Sequence, residues 1–343
     1  MFLPLYLGCA EALLTLRPDL ARMIYWAYRE LGGHETLSGI EGKPFPWKSE
    51  KIEGLGVFFR IRDVENEEGL LLLRSGAAWA HHHQDDGSIQ LFGGGRALIM
   101  DSAFSHPQAR GALKLTAGGH SRALPEGIDP FNVFWRFNRG WIVDSCFAGN
   151  IPYAVAFTPT YMTSAPGKLA SLLLPEPIFA FRAIIEIGPA AFLLIDYNSR
   201  PIPNRVRFHI AGTALTRCSE GISAEYENGL VLEIKSLQGG PIEGTFPIGE
   251  SSNALPQTRT SQVDFSVPPG SRHAVFSLSY GKAAAPRLIV RKTNEGHLFN
   301  NQGQSSELKW QGESNVVIAG AGVEIVIDFA KYENAILGFA LGQ

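Results

Sequence analysis

From Gly54 onward the chain is a succession of short apolar or alternating runs, each cut off by Gly, Pro, Asn or Asp. That punctuation is what most narrows the fold. Runs of three to eight residues rich in Val, Ile, Phe and Leu between turn-forming residues read as strands. They fall at 57–62, 70–74, 89–92, 97–100, 141–145, 183–187, 192–196, 206–210, 231–234, 274–279, 287–291, 316–318 and 323–329. Many short strands at close spacing specify an antiparallel sandwich. Only the start reads as helix. One helix covers 4–15. A second opens at Pro18, where a missing N–H costs nothing, and carries Leu20, Met23, Ile24, Ala27, Tyr28 and Leu31 at helical spacing up to Gly32-Gly33. The expected class is mainly β: an antiparallel β-sandwich over 50–343 preceded by a short α-helical hairpin within 1–45. Segments 256–261 and 294–306 read as loops.

The 343 residues suffice for a large core or two domains, and Gly 37 and Pro 21 suit a turn-rich chain. A net charge of -3 supplies no global basic field, which argues against nucleic acid as partner. An anionic partner would have to be met by local Arg and Lys. Cys9, Cys146 and Cys218 have neither zinc-finger nor disulfide-framework spacing. No apolar stretch is long enough for a membrane span. Leu7-Gly8-Cys9 is faintly like a lipoprotein box, but it lacks a basic region before it, so an ordinary helix is the simpler reading.

The densest chemistry is His81-His82-His83-Gln84-Asp85-Asp86-Gly87-Ser88. It runs into Ile89-Gln90-Leu91-Phe92, a Gly93-Gly94-Gly95 turn and Ala97-Leu98-Ile99-Met100-Asp101. Ile89 and Leu91 alternate with polar residues, and glycine permits a tight turn, so these runs read as a hairpin that returns Asp101 toward the histidines. In an H-x-H-x-D strand, His81, His83 and Asp85 share one face. Imidazole and carboxylate together serve both metal binding and proton transfer. The plainer alternative is a solvated polar loop.

These residues resemble the signature of the heparinase II/III-like polysaccharide lyases: H-x-H-x-D-x-x-S, a strand, a Gly-Gly turn and a strand ending in Asp. His120-Ser121-Arg122-Ala123 is similar to the family's downstream histidine element, with Ser121 and Arg122 in place of Asn-Thr and, earlier, Ile89 in place of Phe. The resemblance implies β-elimination on uronic-acid glycans such as glycosaminoglycans or alginate, with a proton removed from C5 and the O4 oxygen expelled. It implies His81 as the active-site histidine, and His83, Asp101 and His120 as ligands of a structural zinc. Asp85 reads either as an outer partner orienting an imidazole or as a turn former. Members of the family carry a long (α/α) toroid before the sandwich, which supplies a catalytic Tyr and the groups that neutralise the substrate carboxylate. Here two helices stand in its place, like the last hairpin of a toroid. The resemblance therefore implies a fragment, a split gene product or a degenerate member, a separate toroid segment as partner, and a location in the periplasm or cell envelope.

Three further readings rest on the residues themselves. Trp135, Arg136 and Arg139 interleave an aromatic with guanidinium groups and suit sugar rings and carboxylates; a strand with core aromatics is the plainer alternative. Tyr153 and Tyr161 are candidate phenolic acid/base groups or buried structural tyrosines. Two other classes stay open: a non-catalytic, zinc-stapled polysaccharide-binding or toroid-docking module, and a cupin-like metal site built on the same H-x-H.

Overall fold

A computed structural model describes residues 3–30, 32–44, 48–63, 65–76, 85–100, 119–125, 140–158, 179–202, 204–238, 242–248, 260–267, 269–283 and 288–341. The chain divides into two compact units, Met1–Lys48 and Ser49–Gln343.

The first unit holds helices α1 (Leu3–Leu13) and α2 (Pro18–Glu30). Pro18 opens α2, and Gly32, at φ +89°, ends it in a conformation that only glycine adopts without strain. Tyr25 and Tyr28 stack at 6.0 Å, and their hydroxyls accept the backbone N–H groups of Leu37 and Glu35, tying the following segment to α2.

The second unit runs β1 (Glu50–Ile52), β2 (Gly56–Arg62), β3 (Glu68–Arg74), β4 (Ser88–Gly93), β5 (Arg96–Ile99), β6 (Ala123–Pro125), β7 (Trp141–Cys146), β8 (Tyr153–Thr158), β9 (Ala180–Gly188), β10 (Ala191–Asn198) and β11 (Asn204–Ile210). It continues through β12 (Ala214–Arg217), β13 (Gly221–Glu225), β14 (Leu230–Ser236), β15 (Ile242–Ile248), β16 (Thr260–Val267), β17 (His273–Lys282), β18 (Ile289–Lys292), β19 (Gly296–Asn301), β20 (Gln304–Gln311), β21 (Asn315–Gly320) and β22 (Val323–Asp328), and ends in α3 (Phe329–Leu341).

Among the described residues these strands form three antiparallel sheets. The first has the order β1-β2-β3-β4-β5-β11-β16-β15, with β6 also on β11; the central one is β12-β13-β14-β17-β10-β9-β8-β7; the outer one is β18-β19-β20-β21-β22. The first and central sheets enclose one core, built from Phe59, Leu71, Leu91, Phe208 and Phe265 on one side and Ile184, Phe192, Leu194 and Phe276 on the other. The opposite face of the central sheet carries Phe157, Phe181, Ile185, Leu193 and Ile195. With Phe299, Leu308 and Ile318 of the outer sheet and Phe329, Tyr332 and Ile336 of α3, they form a second core. Because β10 is covered on both faces, every residue from Ala191 to Asn198 is buried, and its sequence is continuously apolar from Ala191 to Ile195 rather than alternating.

The sandwich and the leading helical pair are as the sequence reads. Several strands, among them β8 (Tyr153–Thr158), β13 (Gly221–Glu225) and β16 (Thr260–Val267), are additional to those the sequence reads, and β16 takes in Thr260 and Ser261 of the segment 256–261 read as loop. Two further features differ. The stretch 294–306 is not a loop: β19 and β20 form a hairpin closed by Gln302 and Gly303, at φ +54° and +87°. Its Asn- and Gln-rich composition hides a period-2 pattern in which Phe299 points inward. The chain also ends in helix rather than strand. Asp328 caps α3 by accepting the Lys331 N–H (3.0 Å), and Phe329, Tyr332 and Ile336 recur at helical spacing on its buried side. No helix among the described residues is long and apolar enough to cross a membrane.

At one end of the first core, Tyr280 crosses from β17 to lie over Gly69 and Gly93, where any Cβ would collide with it. Nearby, burial pushes the Glu186 carboxyl up to about 7. Its folded value is thus raised above its unfolded one, so its contribution to stability is complete below about pH 4.5 and is lost as pH rises through 7. Glu186→Gln should leave stability unchanged at pH 4 and raise it at pH 8 by about 1–2 kcal/mol, allowing for solvent screening. Urea unfolding at the two pH values checks this; an equal effect at both would contradict it.

Candidate functional site

The β4–β5 hairpin forms as its sequence requires. Leu91 pairs with Ile99 and Phe92 with Ala97, and Gly94 and Gly95 make the turn at φ +55° and +72°. His81, His83 and Asp101, on either side of this hairpin, lie outside the described residues, as do Trp135, Arg136, Arg139 and Tyr161. What the structure does describe is the two chain segments on either side of the hairpin, at 85–87 and 119–125.

On the upstream side, Asp85, Asp86 and Gly87 turn the chain into β4. The Gly87 N–H donates to the Arg74 carbonyl (2.7 Å), and the Ser88 N–H to that of Asp85 (2.8 Å). Asp85 pairs with Arg74 at 3.3 Å. Asp86 is buried, accepts the Gly76 N–H at 3.1 Å, and packs so closely under Gly140 that only glycine fits there. Burial raises its carboxyl to about 6, helped by the Asp85 charge and opposed by Arg122 and Arg74.

On the downstream side stands His120, 3% exposed. The segment after it is bonded from several directions. The Ser121 carbonyl accepts from the Ile89 N–H of β4 (3.1 Å) and from Arg182 Nη1 (2.9 Å). The Ser121 hydroxyl donates to the Met100 carbonyl (3.1 Å) and accepts the His209 N–H of β11 (2.9 Å). The Arg122 carbonyl accepts the Arg207 N–H, and Ala123 and Leu124 pair with β11. Arg207 is itself held by a two-point bond to Asp264 (2.7 Å each). His120 is thus carried by a segment laid across the ends of β4, β5 and β11.

Arg182 joins the two sides. It lies on β9 directly opposite Asp196 on β10 and is 1% exposed. Nε and Nη2 donate to the two Asp196 oxygens (2.7 and 2.8 Å), while Nη1 donates to the carbonyls of Gly87 (2.7 Å) and Ser121 (2.9 Å). A small cleft lined by Asp86, Arg122, Thr158, Arg182 and Asn198 opens beside it.

Tyr153 belongs elsewhere. It packs against the second core, on the other face of the central sheet from Arg182. Its hydroxyl donates to Asp144 (3.3 Å), which also accepts from Tyr332 (2.5 Å). Burial and the Asp144 charge push its phenol up to about 12, so it can donate a proton but not take one near neutrality. Arg182 and Asp196 are the elements that a motif-based reading misses. Their signal was present: one charge of each sign inside two neighbouring apolar runs, at positions that pair across a hairpin. Among the described residues no group of His, Cys, Asp and Glu side chains forms a metal cluster.

No protein-family model matches the sequence, and no curated protein does. Solved structures do. Heparan sulfate lyase HepC from Pedobacter heparinus superposes on 95% of this chain and 48% of its own, with a TM-score of 0.62 and 15% identity. A heparinase III gene product gives 95%, 47%, 0.61 and 15%, and a further heparinase III gives 93%, 47%, 0.58 and 12%. The chain has a heparinase-like fold and spans about half the length of the lyases it matches.

Ser121→Ala should destabilise the protein by about 2–3 kcal/mol, because a buried carbonyl and a buried N–H lose their shared partner. Denaturant titration measures this; a loss below about 0.5 kcal/mol would show that the segment is held without that hydroxyl.

Proposed function

We propose that this chain is the β-sandwich part of a polysaccharide lyase that cleaves uronic-acid-containing glycans by β-elimination. The observation that carries the reading is the Ser121–Met100 hydrogen bond at the end of the β4–β5 hairpin. In the chain, His120 directly precedes Ser121 and Asp101 directly follows Met100. With His83 upstream of the same hairpin, two imidazoles and one carboxylate make a donor set suited to tetrahedral zinc, water or another group supplying the fourth position. A buried His120 on a rigid segment fits such a group. Bound there, zinc would act as a structural staple. His81, whose ordinary pKa near ~6.5 suits either role, exchanges the proton at C5 or O4. Arg122, which lines the cleft, would offset the charge that develops on the substrate carboxylate. A periplasmic or cell-envelope location, where such glycans arrive, accompanies this reading.

A second reading is favoured by the coverage: the chain spans about half of the lyases it matches. As a non-catalytic module it would bind polysaccharide or dock a separate helical toroid. Incubation with uronate polymers, following the ultraviolet absorbance of the unsaturated product, separates the two. Because an acid–base group contributes about 10²–10⁴-fold, the 343-residue chain alone should run near background and gain turnover when a toroid segment is supplied. His81→Ala should then abolish turnover and leave the fold intact. No product under any condition would leave the binding module.

Protein purified without chelator should carry close to one zinc per chain, lost in His83→Ala together with thermal stability, since metal bound only by the native state adds to folding free energy. A metal-free, equally stable protein would remove zinc from the account.

A further inference from the structure

The bonding of Arg182 exceeds what neutralising a buried carboxylate requires. Two donors satisfy Asp196; the third nitrogen is spent on the main-chain carbonyls of Gly87 and Ser121. Those carbonyls belong to segments far apart in sequence. Gly87 closes the turn that follows His81 and His83, and Ser121 follows His120. A guanidinium is planar and rigid, so its donors hold their acceptors at fixed separations, which a lysine ammonium on a flexible stem cannot do. Asp196, opposite in register and equally buried, fixes the plane of that fork. The guanidinium also lines the cleft next to Asp86 and Arg122.

We propose that Arg182 is a positioning residue for the site. It sets the spacing between the Gly87 turn and the Ser121 segment, and through the latter the position of His120, the residue before Ser121. This rests on the functional reading above for what the histidines do, but not for the geometry that Arg182 imposes.

The test compares the unaltered protein with Arg182→Lys and Asp196→Asn, each at a temperature well below its own Tm. Zinc affinity is read by competition with a chromophoric chelator, and the His120 ring by its NMR signals. Arg182→Lys should fold, lower zinc affinity by about 10–100-fold as loss of an orienting partner does, and move the His120 signals. Asp196→Asn, which keeps the bonds to Gly87 and Ser121, should do less on both counts. A folded Arg182→Lys with unchanged affinity and unmoved His120 signals would overturn the proposal. If the unaltered chain binds no zinc, the metal reading fails, and Arg182 is judged by the His120 signals alone. If neither variant folds, the pair is a stability element and the positioning role falls.

Discussion

The second unit is organised around one buried cation. Removing a guanidinium from water costs several kcal/mol, and the charge persists in a core only where hydrogen bonds replace its hydration. Arg182 meets that condition with four charge-assisted bonds, two to Asp196 and one each to Gly87 and Ser121. Remove any one partner and the remainder is an incompletely solvated charge, which is why breaking such a pair typically costs about 3–5 kcal/mol. The bonds also tie the central sheet to both chain segments that flank the β4–β5 hairpin. The framework of the candidate site and the stability of the sandwich therefore depend on the same atoms.

The setting of that cation follows from the central sheet. With one core on each face, β9 and β10 can keep a buried side chain charged only where it is paired. Arg182 and Asp196 are neighbours across the hairpin, so each supplies the other's counter-charge at the position where the first core gives way to the cleft. Glu186, two pleats along on the same face of β9, has no such partner among the described residues, and burial drives it toward its neutral form. One strand thus shows both fates of a buried charge.

Much of the fold was legible in the sequence because its strands are apolar and its turns carry glycine. The runs 57–62, 89–92 and 192–196 all lie within observed strands. The β19–β20 hairpin was hidden because its buried positions include the polar His297, Asn301 and Ser306 while Leu298 is exposed, and α3 because it starts at the residue directly after β22. Of the third sheet, β18, β21 and β22 overlap the runs 287–291, 316–318 and 323–329, but their grouping into a separate sheet was not legible, since a period-2 pattern shows that a face is covered but not what covers it. At the site, the histidines and Asp101 stood out by composition and the β4–β5 hairpin by its glycines. Arg182 did not, because a single arginine between Phe181 and Ala183 looks like an edge of an apolar run until the register places it opposite Asp196.

The proposed function assigns His83, Asp101 and His120 as ligands of one zinc ion. X-ray absorption at the zinc edge of the purified chain tests it most directly. The account predicts a light-atom shell of nitrogen and oxygen at about 2.0–2.2 Å, with the outer scattering of two imidazole rings and no sulfur. A spectrum dominated by sulfur at about 2.3 Å, or one without imidazole scattering, would contradict it.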